Sequence, residues 1–189
     1  MKRLILSLLV LIGTLNIYSQ VSVGTPVKFP DNIFLALAYK PALTFIKSDD
    51  GVGLLLFYTR DDYYASFDEE SVILLKFEDE TIEKLPIYQP VYVHESYDSQ
   101  YNSSLKSISH LYTTTVRFEI SPEITERIVT RNEKIVKIRV LFSNGKVKDW
   151  DIKKSYRSKL TKKLVKSYKE ANQNYTIQKE NIDNVENNF

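Results

Sequence analysis

The chain has 189 residues, 26 Lys and Arg against 24 Asp and Glu, no cysteine, five glycines and thirteen tyrosines. That length suits one ordinary domain, and the missing cysteine excludes disulfides and any lipid carried on an N-terminal cysteine. No Gly-rich phosphate cradle and no Gly-x-Ser-x-Gly elbow is present.

The first segment reads as a secretory signal peptide over residues 1–19. Met1-Lys2-Arg3 is a short basic start, Leu4 to Leu15 is an apolar run, and Ser19 is a small residue before the expected cut. The run is too short to span a bilayer. The protein is therefore expected in the periplasm or at the cell surface, with Gln20 first. Losing Lys2 and Arg3 takes the basic count from 26 to 24, equal to the acidic count. Residues 20–171 are expected to form a single globular domain, and residues 172–189, rich in asparagine, a polar, frayed tail.

In chain order, Pro26 and Pro30 make Gln20 to Asp31 an irregular lead-in. Ile33 to Tyr39 and Ala42 to Lys47 are predicted strands, and Ser48-Asp49-Asp50-Gly51 is a turn. Val52 to Thr59 is nearly all apolar, which predicts a central strand covered on both faces. After the acidic segment Arg60 to Glu70, a strand over Ser71 to Phe77 turns at Glu78-Asp79-Glu80 and returns through Thr81 to Ile87. Pro86 to Ser109 is dominated by Tyr, Ser, Gln and Asn and is expected to be a functional loop or a poorly ordered one. Leu111 to Ile120 regains strand character. Ser121-Pro122-Glu123 places an N-cap, a first-turn proline and an acid ahead of a short helix. Ile124 and Ile128 share one face of it, and Asn132 can end it.

The stretch from Lys134 to Ile152 predicts a hairpin whose register follows from side-chain pairing. A two-residue Asn144-Gly145 turn would set Asp149 against Val140 and Asp151 against Ile138. A three-residue loop, Ser143 to Gly145 with Gly145 left-handed, instead pairs Ile138 with Trp150, Val136 with Ile152, Leu141 with Val147, Arg139 with Asp149 and Lys137 with Asp151. The second register is the expected one, each favourable pair adding about 0.2–1 kcal/mol. Its charged ladder reads as ordinary pairing on a solvated face. Laid beside this hairpin, the earlier one matches in layout: Phe77 with Phe142, Asp79 with Asn144, Ile82 with Val147, Leu85 with Trp150, Ile87 with Ile152. Duplication and chance likeness both remain open. A basic helix should begin near Ser155, with Tyr156, Leu160, Leu164 and Tyr168 on one stripe and no acid in its first turns, against the macrodipole.

Charge is split along the chain. Asp49 to Glu83 holds eleven acids against Arg60 and Lys76, whereas Lys134 to Lys169 holds thirteen bases against two acids. The two regions are expected to compensate each other or to present two opposed faces.

For chemistry, His94 and His110 are the only histidines and fit no metal-ligand pattern. Asp61-Asp62 and Asp68-Glu69-Glu70 offer the oxygens calcium prefers, without the spacing or glycine of an EF-hand. No cofactor or metal is expected. Tyrosine is the informative residue: Tyr58, Tyr63, Tyr64, Tyr88, Tyr92, Tyr97 and Tyr101 concentrate in the acidic segment and the loop. They would suit amphipathic recognition of a protein or glycan, although β-rich proteins also use tyrosine at strand edges.

The block from Ile120 to Tyr168, with ISPEITERI, IVKIRVLFSNGKVKDWDI and a basic helix, and the preceding VILLKFEDETIEKL hairpin, resemble the later part of uncharacterised exported β-rich proteins of Gram-negative bacteria. The resemblance covers roughly two thirds of the chain after residue 19. It implies export and a β-rich build and brings no catalytic residue or ligand.

The sequence thus predicts an α+β fold, mainly antiparallel β hairpins in a curved sheet or two layers, with a short helix and a C-terminal basic helix. The leading expectation is a non-catalytic exported module binding an envelope protein or glycan through Tyr92, Tyr97 and Tyr101. One alternative is a small hydrolase using His94 or His110. Another is an accessory subunit or membrane-surface protein docking through the basic helix. Export argues against a nucleic-acid partner.

Overall fold

The computed structural model describes residues 21–29, 41–60, 64–102 and 107–187. The segment expected to be a signal peptide, the strand expected over Ile33 to Tyr39, and Asp61 to Tyr63 lie outside the described residues. The rest is α+β: antiparallel strands in a curled half-barrel sheet and a second sheet, joined by one short and one long helix.

The first sheet holds β1 (Val21–Val23), β2 (Val27–Lys28), β3 (Ala42–Ser48), β4 (Gly51–Arg60), β7 (Val93–Asn102) and β8 (Ser107–Glu119). Its order is β1-β3-β4-β8-β7, with β2 also on β3. β4 is central, as its apolar run predicts. Leu54 and Leu56 enter the main core, while Leu55 joins Val21 and Ile46 in a small cluster on the opposite face. The second sheet has order β10-β9-β5-β6, comprising β5 (Val72–Phe77), β6 (Ile82–Pro86), β9 (Ile135–Leu141) and β10 (Val147–Asp151). Phe45, Leu54 and Phe118 of the first sheet meet Ile73, Leu75, Ile138 and Trp150 of the second in one continuous core.

The β9–β10 hairpin has the register expected from side-chain pairing, with Ile138 opposite Trp150, Arg139 opposite Asp149 and Lys137 opposite Asp151. Phe142 N–H donates to Lys146 O at 3.0 Å, Gly145 N–H donates to Phe142 O at 3.0 Å, and Gly145 has φ +71°. The β5–β6 turn is built alike. Phe77 N–H donates to Thr81 O at 3.0 Å, Glu80 N–H to Phe77 O at 3.1 Å, and Glu80 has φ 69°. Asp79 Oδ1 accepts from Thr81 N–H at 3.1 Å, and Asn144 Oδ1 accepts from Lys146 N–H at 3.0 Å. The two hairpins lie side by side through β5 and β9, where Leu74 is opposite Arg139. Leu74 and Arg139 are also equivalents in the sequence alignment of the hairpins. A local two-fold axis normal to the sheet therefore passes between them.

Helix α1 (Pro122–Val129) starts as its sequence dictates, with Ser121 accepting the Ile124 N–H at 3.1 Å. It ends at Thr130, ahead of Asn132, which has φ 54°. Helix α2 (Lys154–Asn187) has no acid in its first turn, so packing holds it. Leu160, Leu164 and Ala171 are buried, and the Phe45 and Tyr168 rings meet edge to face at 5.3 Å. The helix continues through the segment expected to fray. Tyr175 donates to Asp49 and lies under Lys47, so a tyrosine on the inward stripe extends the docked length.

Where β1 stops and β2 has not begun, Ser167 of α2 takes over the edge of β3. Its Oγ accepts from the Phe45 N–H at 3.1 Å and lies 3.0 Å from Thr44 Oγ1, which donates to Gly24 O at 2.7 Å. The Ser167 hydroxyl therefore donates to Thr44. Gly24 is required there, since a Cβ would stand 2.6 Å from Ser167 Oγ and closer still to the Ser167 carbonyl oxygen.

Candidate functional site

Pro86 to Ser109 is largely strand rather than loop. After β6, Ile87 bridges to Phe118 and the Tyr88 N–H donates to Arg117 O at 2.9 Å, carrying the chain from the second sheet to the first. Tyr88 is held there by Arg117, whose guanidinium lies 3.6 Å from the ring centroid, and by donation to Asp50 at 2.9 Å. The Asp50 bond, with burial, raises the Tyr88 phenol above its ordinary pKa. β7 then pairs with β8 through its whole length. The polar composition hides the strand because the end of this hairpin extends beyond the core, leaving both faces with little apolar alternation to read.

Alternation along β7 decides which candidates meet. Tyr97 is opposite Tyr112, Ser99 opposite His110, and Tyr101 opposite Ile108. These share the face on which Val116 enters the core. Tyr97 is 53% exposed, Tyr101 67% and Ile108 61%. The Tyr97 ring stacks on His110 at 5.7 Å and tilts against Tyr112 at 5.3 Å, and Tyr64 packs edge-on to Tyr112 at 5.0 Å. Burial, followed by the charge of Glu95, raises the Tyr64 phenol above its ordinary pKa. The Tyr97 hydroxyl and His110 Nδ1 are 2.5 Å apart. When the hydroxyl donates, the imidazole proton is on Nε2.

Of the three tyrosines expected to bind, Tyr97 and Tyr101 lie on this face. Tyr92 precedes β7 and alternates with Val91 and Val93, both packed on the core. The sequence counted Tyr64 among its recognition tyrosines but overlooked Tyr112 and Ile108, whose role appears only once β7 and β8 are paired. His94 is opposite Thr115 and His110 opposite Ser99, which puts the histidines on opposite faces of the sheet. Among the described residues, no group of three or more His, Asp or Glu is arranged to hold a metal ion.

Among the described residues, the acidic stretch meets the basic one at the β5–β6 turn, through Glu78, rather than at Asp68 to Glu70. Asp68 serves its own turn, accepting from Glu70 N–H at 3.0 Å and Ser71 Oγ at 3.1 Å. Glu78 receives Lys134 at 3.1 Å and Arg157 at 3.3 Å. Those bonds, Lys134 first, hold its carboxyl below the usual range. Arg127, 7% exposed, is bound by Asp79, Glu83 and Glu133 at 2.6–2.8 Å and lies over Phe77. Further along α2, Ser155, Ser158, Lys159, Lys162, Lys163 and Lys166 line a shallow open hollow. No helix among the described residues is long and apolar enough to cross a membrane. Compared with protein-family models, curated proteins and solved structures, the chain shows no match.

Proposed function

We propose that this is an exported binding module that takes a protein or glycan on the aromatic face of the β7–β8 hairpin. The observation that carries this reading is the grouping of Tyr97, Tyr101 and Ile108, all more than half exposed, on one face of a regularly paired ribbon. Tyrosine on a fixed strand offers large amphipathic contact area at low entropic cost. Exposed apolar groups gathered in this way mark interaction surfaces. Export rests on the basic start and apolar run within residues 1–19. The module would then act in the periplasm or at the cell surface.

The test is capture of cell-envelope proteins and polysaccharides by the Tyr97→Ala/Tyr101→Ala variant. Capture should fall at least tenfold while the melting curve is kept, and Tyr92→Ala should behave as the parent. Undiminished capture by the double variant would overturn the proposal.

A second reading draws on the lysines of α2. Arg127, Arg139 and Lys134 are met by carboxylates, whereas among the described residues none that lines the hollow is acidic, and of its lysines Lys166 pairs with Glu170 at 3.6 Å. An acidic partner or anionic membrane surface docking there would be released by salt. Association unchanged at high salt would end that reading.

A further inference from the structure

β7 is an edge strand of ten residues paired to β8 without a break in register. Among the described residues nothing bonds to its other side. The other edges are guarded. β1 has three residues and β2 two, with α2 beside them. β6 has five, carries Lys84 and ends at Pro86, and β10 has five, with Lys148, Asp149 and Asp151. Short length, proline and lysine are the usual protections of an open sheet edge. β7 has neither proline nor lysine and is twice the length of β6 or β10.

The β7 sequence is also complementary to itself. A two-fold axis normal to the sheet keeps the tyrosine faces of two copies on the same side and pairs residues whose numbers differ by an even step. Only two such registers engage nine of the ten residues. One, centred on Asp98, sets that carboxylate against its own copy. The other, centred on Tyr97, sets Tyr97 against Tyr97, Val93 against Tyr101, Glu95 against Ser99 and Ser96 against Asp98. Each carboxylate then faces a hydroxyl, and the apolar pairs are aromatic or aliphatic, the combinations that stabilise antiparallel strands.

We infer that two copies of the protein join through β7 in the register centred on Tyr97. The two curled sheets become one, and the two tyrosine faces become a single platform. The backbone groups of both edges satisfy each other, and the dimer leaves no β7 edge free to recruit a third copy.

Sedimentation analysis of the purified protein across micromolar to submillimolar concentrations should show a monomer–dimer equilibrium. The cysteine-free chain permits a register test. A mixture of Glu95→Cys and Ser99→Cys proteins should form a mixed disulfide dimer under mild oxidation, and neither should cross-link alone. Ser96→Asp places a like charge opposite Asp98 twice and should weaken the dimer at least tenfold. Ser99→Lys places a cation opposite Glu95 and should tighten it. A protein monomeric throughout, or a dimer with a different cross-linking pattern, overturns the inference. Ligand capture by the Ser96→Asp monomer separates this outcome from the binding reading, because that variant keeps Tyr97 and Tyr101.

Discussion

Arg127 gathers Asp79, Glu83 and Glu133 while lying against Phe77. Burial opposes its charge, but the bonds to Glu133 and Glu83 outweigh it and hold the guanidinium above its ordinary value. Replacing it by methionine strands three partly solvated carboxylates together and should cost about 2–3 kcal/mol in urea melts. Lysine should recover little, since one ammonium cannot fork to three acids. The carboxyls of Asp149, bonded first by Arg139, and of Asp79, bonded first by Thr81, are held below their usual range, as is that of Glu78. A folded pKa below the unfolded one adds stability above the unfolded value and loses it as pH falls through the folded value. Unfolded values of 3.8 for Asp and 4.5 for Glu place the loss in the acid range. The melting temperature should hold above about pH 5 and fall below about pH 4, less steeply in Asp149→Asn. At this scale the Arg139–Asp149 pair was legible, because strand register is a matter of counting. Arg127 was not, because two of its three acids, Asp79 in a turn and Glu83 in a strand, lie 48 and 44 residues away.

At the scale of elements, two turns of one design differ at their left-handed position, Glu80 in one and Gly145 in the other. Gly145→Ala should therefore destabilise by about 1 kcal/mol, and Glu80→Gly should be neutral or stabilising by a similar amount. The exposed Lys76–Glu80 pair lost in the second change contributes little. Chemical denaturation of both variants decides the matter. Helix α2 depends on contacts the sequence does not announce. Its apolar stripe and start were readable, but nothing marked Ser167 as a strand partner or Gly24 as its contact. Gly24→Ala should cost about 1–3 kcal/mol by pushing the helix outward. Ser167→Ala, which strands the Phe45 N–H, should cost a similar amount. From Leu111 onward β8 was read as strand, but β7 and the start of β8 were unreadable for the opposite reason: they extend past the core and lack the apolar alternation that reveals half-buried strands.

For the whole molecule, the α+β class followed from hairpin signals and two helical patterns, and the central place of β4 from its unbroken apolar run. The arrangement into two sheets did not, because the crossing at Ile87 and Tyr88 depends on Phe118, Arg117 and Asp50, all remote in the chain. The local two-fold of the second sheet gives the hairpin likeness a physical setting: two similar units share one central strand pair. The tyrosine face belongs to this scale too, since it arises only where β7 and β8 align.

The seat of Ser167 between β1 and β2 governs the order in which the fold can form. Bonds near the beginning of the domain are completed by a residue near its end, so the edge of β3 stays open until α2 docks. Such long-range closure slows folding and places it late. Shortening the chain before residue 160 should expose the same edge as removing residues 21–24. Both truncations should unfold at lower urea than the parent and give matching hydrogen-exchange losses at Phe45 and its neighbours.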